Sequence, residues 1–177
     1  MSLKELTWEK HKAAENTPFM KLVFKGEATK DQLADFFYKK AYFYGILEQK
    51  ASTMGLLRGM DSLRRTGKLY DDYDALVGKE NPTKHFHNLA IIEYHNYLLN
   101  LGYARDIMAH IYVWHMGDLY GGQFLKKIYP DVQFSSLEFD NPDELRTKIR
   151  AKLNDDMAYE ANRAFDWAIR ILESMMA

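Results

Sequence analysis

Cysteine is absent from the 177-residue chain, which excludes disulfides, iron–sulfur clusters, zinc-thiolate sites and thiol nucleophiles. A chain without cysteine is at home in a reducing cytoplasm. An excess of charge of one sign is also lacking: 24 Lys and Arg stand against 25 Asp and Glu, for a net charge of −1. Nothing in that balance points to nucleic acid or an acidic membrane as partner. No apolar run approaches the roughly 18–20 residues of a membrane span. Met1 to Glu5 lack the apolar stretch of a signal peptide, and Met175 to Ala177 carry no hydrophobic tail. The expectation is a soluble, cytoplasmic protein with no membrane anchor. Proline is scarce: Pro18, Pro82, Pro130 and Pro142 sit where helices should begin or end. No stretch alternates like a sheet strand.

What is present is a large apolar fraction, 47% of residues, with 28% charged and no low-complexity tract. That composition fits one ordered core, and residues 1–177 are read as a single all-α domain. Aromatic residues reach 14%, which fits either a roomy apolar pocket or a tightly filled helical core.

Helical spacing predicts a first helix over Leu3 to Glu15 and a short one from Pro18 to Phe24 that stops near Gly26. Thr29-Lys30-Asp31-Gln32 reads as a capping box opening a long helix on which Leu33, Phe37, Ala41, Tyr44 and Leu47 repeat. After a charged turn near Arg64 to Lys68 and a segment from Tyr70 to Val77, a helix is expected from about Thr83 to Leu101. Another should run from Asp106 to Ile128, followed by a loop over Gln133 to Phe139. The last helical region spans Pro142 to Met175, with a break near Asn154-Asp155-Asp156.

Gly117, Gly121 and Gly122 stand out inside a helical pattern, where each costs roughly 1 kcal/mol relative to alanine. Gly117 and Gly121 are four apart and share a face. Removing side chains there lets either another helix or a flat ligand approach the backbone. Close helix packing explains Asp118 less well, since a carboxylate beside that face must be solvated or hydrogen-bonded. The run is no phosphate-binding loop, because it lacks the lysine-serine or lysine-threonine pair and a preceding strand.

The six histidines form no metal motif: neither Glu-x-x-His nor His-Glu-x-x-His occurs. His85, His87, His95, His110 and His115 are read as surface or satisfied core residues. His11 lies mid-helix near Lys4, Lys10 and Lys12, with Glu15 four residues on. A neutral helical histidine can ligate iron through one ring nitrogen while a second group orients the other. At this spacing the pair is also compatible with a solvated helix contact.

Taken together, two segments resemble the signatures of heme oxygenases. Gly117 to Ile128 looks like the family's distal helix, and His11-Lys-Ala-Ala-Glu-Asn-Thr-Pro-Phe-Met20 resembles its proximal motif. Similarity extends through Gly26 to Glu48 and Arg146 to Glu173, and Ala51 to Asn100 matches least. The resemblance implies the helical heme oxygenase fold, with heme as both substrate and cofactor, ligated by His11 and tuned by Glu15. Gly117, Gly121 and Gly122 match the glycines lying on the heme, and Asp118 the aspartate that holds distal water. Tyr44 falls where the family often has a tyrosine in the same water network. Lys4, Tyr112, Arg146 and Arg150 fall at positions that hold the propionates, and Phe165 at an aromatic wall.

The implied reaction consumes dioxygen and reductant electrons and releases biliverdin (the alpha isomer), carbon monoxide and ferrous iron. Ferredoxin is the expected donor, another reductase such as a flavin reductase the alternative, and a bilin reductase a downstream partner. The likeness is to the soluble bacterial, cyanobacterial, plastid or viral type, which places the chain in cytoplasm, plastid stroma or host cytoplasm. Three positions depart from the pattern: Trp114 replaces a frequent arginine, Tyr120 a serine and Ala168 an asparagine. Those changes leave open a heme-binding or storage protein without turnover. A thiaminase-like hydrolase or a di-iron oxidase on the same fold is opposed by the missing cysteine and the missing carboxylate–histidine cluster.

Overall fold

Local chemistry sets where the helices start and stop in the computed structural model, which describes residues 1–78 and 85–176. Helix α1 (Leu3–Glu15) begins where the Ser2 hydroxyl accepts the Glu5 amide, a standard side-chain cap. Helix α2 (Pro18–Phe24) has proline in its first turn, where the missing N–H is no loss. It ends at Gly26, whose φ of 76° lets the amides of Gly26 and Glu27 turn back to the carbonyls of Val23 and Leu22. The capping box at Thr29 and Gln32 forms as the sequence predicts and opens α3 (Lys30–Thr53).

Helices α4 (Thr66–Val77), α5 (Leu89–Asn100), α6 (Ala104–Ile128), α7 (Pro142–Ala151) and α8 (Ala158–Ser174) complete the all-helical set among the described residues. The expected break after α7 is present, with residues 155–157 forming a single 3-10 turn. Helix α5 starts later than expected. Thr83 lies outside the described residues, residues 85–88 are not helical, and the Asn88 side chain caps the helix by accepting the Ile91 amide at 3.1 Å. The loop expected over Gln133 to Phe139 carries a 3-10 turn at Ser135–Leu137.

Helix α3 is central, packing on α4, α5 and α6, while α8 packs on α1, α2, α5 and α6. Phe43, Tyr44, Leu47, Tyr94, Ile111 and Leu119 meet in the fully buried core. One buried carboxylate fixes a loop that matters later. Asp72 accepts the backbone amides of Ser135 and Ser136 at 2.8 and 2.9 Å and the Ser135 hydroxyl at 2.6 Å. A carboxylate that gathers several donors is held firmly, so the 135–137 turn and Leu137 are pinned against α6. Among the described residues, no helix is long and apolar enough to cross a membrane.

Candidate functional site

Helices α1, α2, α3, α6 and the second half of α8 leave a gap where their inner faces meet. Between them lies a largely apolar cleft with about 1140 Å³ of empty space, counting its open mouth. His11, Glu15 and Val23 line one side, Gly117, Asp118 and Gly121 the other, and Phe37, Phe165 and Leu172 the back. Concave apolar sites with a few convergent polar groups are the usual form of a small-molecule site.

On α1 the i, i+4 spacing brings His11 Nε2 to 2.8 Å from Glu15 Oε1. A carboxylate only accepts, so Nε2 is the donor in this contact and Nδ1 is the ring nitrogen it leaves uncommitted. The ring stands between Trp8 and Phe165, at centroid distances of 5.2 and 5.7 Å. Both partners remain partly in water, with side chains 42% and 54% exposed.

On α6 the three glycines divide by function. A Cβ built on Gly117 or Gly121 meets nothing within 4 Å, so these two positions are bare backbone facing open space. A Cβ on Gly122 would lie 2.9 Å from Leu137. Gly122 is therefore a close-packing glycine against the loop that Asp72 holds, although it also touches the cleft.

Asp118 is buried, and each of its oxygens meets one protein donor. Oδ1 pairs with Lys40 Nζ at 2.5 Å, and Oδ2 accepts the Tyr44 hydroxyl at 2.7 Å. Lys40, Tyr44 and Glu48 repeat every four residues and so share one face of α3. Below Asp118 the ladder continues. Tyr44 stacks on His115 at 4.6 Å, and His115 Nε2 donates to Glu48 Oε2 at 2.8 Å. Glu48 also accepts the Arg65 amide at 2.7 Å and the Thr66 hydroxyl at 2.6 Å.

Burial acts to raise the Glu48 pKa, but the donors of His115, Thr66 and Arg65 outweigh it and hold the carboxyl below its ordinary value. Burial, then the neighbouring Asp118 charge, pushes the Tyr44 phenol well above its ordinary value. Tyr44 thus stays protonated and donates to Asp118.

Phe165 lines the cleft, and so does Ala168, at the position expected to carry an asparagine. Lys4, Tyr112, Arg146 and Arg150 do not line it. Lys4 is exposed on α1 and Tyr112 half-buried on α6. Arg146 pairs with Asp143 at 2.7 Å and donates to the Leu119 carbonyl at 2.6 Å. It shares the Tyr120 ring with Arg150, their guanidinium carbons lying 4.7 and 5.5 Å from the centroid. Trp114 turns its indole N–H to the Tyr94 hydroxyl at 2.9 Å. His110 and His115 are fully buried, each with one ring nitrogen hydrogen-bonded, to Tyr94 and Glu48, and the other, His110 Nε2 and His115 Nδ1, without a hydrogen-bond partner. Lys40 lines the cleft and was not singled out by the sequence; Glu48 and His115 lie behind Tyr44 and do not line it. The available signal was the placing of Lys40 and Glu48 either side of Tyr44 at four-residue spacing on one face of α3.

Among the described residues no three His, Cys, Asp or Glu side chains gather to hold a bare metal ion. A single imidazole opposite bare backbone instead suits a metal carried inside a flat macrocycle.

Comparison with known proteins points the same way. The family model for heme oxygenase matches residues 1–163. Heme oxygenase 2 of Macaca fascicularis is 29% identical over 202 aligned positions, covering 98% of this chain. This chain spans 64% of that relative's length. The structure of heme oxygenase from Leptospira interrogans superposes with a TM-score of 0.86 at 25% identity, covering 98% of this chain and 100% of the other. Heme oxygenase-1 from the cyanobacterium Synechocystis, solved in complex with heme, gives a TM-score of 0.86 at 22% identity, with 97% and 89% covered.

Proposed function

The chain belongs to the heme oxygenase family, and on that footing we propose that it opens the heme ring with dioxygen and reductant electrons. Biliverdin, carbon monoxide and ferrous iron are the products. The alpha isomer, ferredoxin as donor, a bilin reductase downstream, and a soluble type resembling cyanobacterial, plastid or viral forms belong to the same proposal.

One observation carries it. An imidazole on α1 faces two side-chain-free positions of α6 across an apolar cleft, with a buried carboxylate at the edge of that bare strip. A flat apolar ring fits between such walls, and among the described lining residues His11 is the one imidazole that could hold its metal. Heme, when bound, supplies iron and the activation of dioxygen. In this reading His11 holds the iron through one ring nitrogen while Glu15 orients the ring through the other. Gly117 and Gly121 would let a flat ring approach the backbone of α6, because no side chain stands there. Gly122 keeps α6 close to Leu137, and Phe165 walls the pocket.

Asp118 is the group we assign to hold water and pass a proton, with Tyr44 steadying it. For the two carboxylates of heme we assign the cations Lys4, Arg146 and Arg150, together with Tyr112. Arg146, now paired with the solvent-facing Asp143, would hold a propionate in place of that partner. Arginine suits that exchange because its planar fork matches a carboxylate.

The test is direct. Pure protein is mixed with hemin, ferredoxin and its reductase in air, and the bilin is identified by chromatography. The expected result is decay of the heme spectrum with biliverdin formed. A heme spectrum that persists over many turnover times without bilin overturns the oxygenase reading and leaves a heme carrier.

A further inference from the structure

The cleft contains one cation that the family resemblance does not assign, and its position is specific. Lys40 is on α3, lines the cleft, and places Nζ 2.5 Å from Asp118 Oδ1, with the two side chains only 9% and 7% exposed. Its Nζ also lies 5.1 Å from the Tyr44 ring centroid and 5.6 Å from that of Phe36, so the ammonium is boxed by aromatic faces. The residues one helical turn before and after it, Phe36 and Tyr44, form the sides of that box.

A lysine removed from water in this way needs a compensating anion, and Asp118 supplies one. Tyr44 takes the second oxygen of the same carboxylate. The carboxylate is thus gripped at both ends from a single helix face and has little freedom to rotate. Trp114 directs its indole N–H to Tyr94 instead.

Resting on the heme reading above, we propose that Lys40 is a positioning residue for Asp118. With Tyr44 it fixes the orientation of the carboxylate, and by its charge it makes the distal side of the cleft electrically neutral. That neutrality has a function. An unpaired carboxylate buried beside an iron would repel the anionic ligands and negative oxygen species the site must admit. Cancelling its charge removes that repulsion while leaving the oxygens in place to accept a hydrogen bond from water. The charge, rather than the bulk of Lys40, is the property that matters.

The experiment is a charge cycle read by ligand binding to the hemin-loaded protein, with azide as the anionic probe and imidazole as the neutral one. Variants are Lys40→Met, Lys40→Arg, Asp118→Asn and the Lys40→Met/Asp118→Asn double variant. Azide affinity is expected to fall roughly ten- to a hundredfold in Lys40→Met, the size of one uncompensated charge nearby in an intermediate dielectric. It should rise in Asp118→Asn, and return close to wild type in Lys40→Arg and in the double variant. Imidazole affinity should stay nearly constant across the set.

Thermal unfolding of the heme-free proteins provides a second readout. Lys40→Met should lose stability and the double variant regain much of it, because the unpaired buried charge is then gone. Equal azide affinity in Lys40→Met and wild type, or shifts of the same sign in Lys40→Met and Asp118→Asn, would overturn the proposal. Failure of the wild-type protein to develop a heme absorption band would instead sink the heme reading itself, and this inference with it.

Discussion

On the α3–α6 side of the cleft, Lys40, Asp118, Glu48 and His115 are buried and paired with one another or with Tyr44, Arg65 and Thr66. On the α1 side, His11 and Glu15 pair only across one helical turn and stand about half in water. The buried side is held by contacts between helices far apart in sequence, and its groups have no room to turn. The exposed side is held by hydrogen bonding within its own helix and by ring contact with Phe165 of α8, with about half of each side chain in water. A site built in this way has one rigid wall that dictates geometry and one adaptable wall that captures.

Breaking the rigid wall should have the largest effect. Glu48→Ala leaves His115, the Arg65 and Thr66 amides and the Thr66 hydroxyl without their acceptor, and removing one partner of a buried pair typically costs about 3–5 kcal/mol. Urea unfolding of the heme-free protein measures this, and a loss below about 1 kcal/mol would show the ladder to be dispensable. The same residue gives a pH signature. The Glu48 carboxyl is held below its ordinary value of 4.5, so its stabilisation is complete above that value and is lost as pH falls through the lower, folded-state value. Between pH 5 and 3, the Tm of the wild type should drop more steeply than that of Glu48→Gln. Parallel curves would assign the acid sensitivity to other carboxylates.

A smaller effect is expected where the rigid wall meets the loop. Gly122→Ala places a methyl group 2.9 Å from Leu137, and overpacking of this kind costs about 1–3 kcal/mol. Stability unchanged within error would mean that Leu137 moves freely. The smallest effect belongs to the adaptable wall. Glu15→Gln should change heme-free stability by no more than about 0.5 kcal/mol, as exposed i, i+4 pairs do. A loss several times larger would contradict the description of that wall as loosely held.

The same contrast explains what the sequence makes legible. His11 and Glu15 interact within one helix, and Gly117 and Gly121 share a face by spacing alone, so all four can be read from local pattern. The caps at Ser2 and Thr29 and the glycine stop at Gly26 are equally local. Lys40 meets Asp118 and Glu48 meets His115 only after α3 and α6 pack, 78 and 67 residues apart. No periodicity encodes those pairings. The departure at Trp114 raises the question of what charge stands beside Asp118, and the answer lies on another helix. The split role of the glycines was likewise hidden, because Gly122 differs from Gly121 only through Leu137, on a loop that Asp72 fixes from α4. The late start of α5 depends on a cap by Asn88 that the apolar pattern upstream does not announce.

The central claim is that a heme lies between His11 and the bare backbone of α6, and a crystal structure of the hemin complex tests it most directly. The account predicts iron bound to a ring nitrogen of His11, with the opposite face of the porphyrin against Gly117 and Gly121 and Asp118 still paired with Lys40. Iron bound by another histidine, or a porphyrin seated outside this cleft, would contradict it.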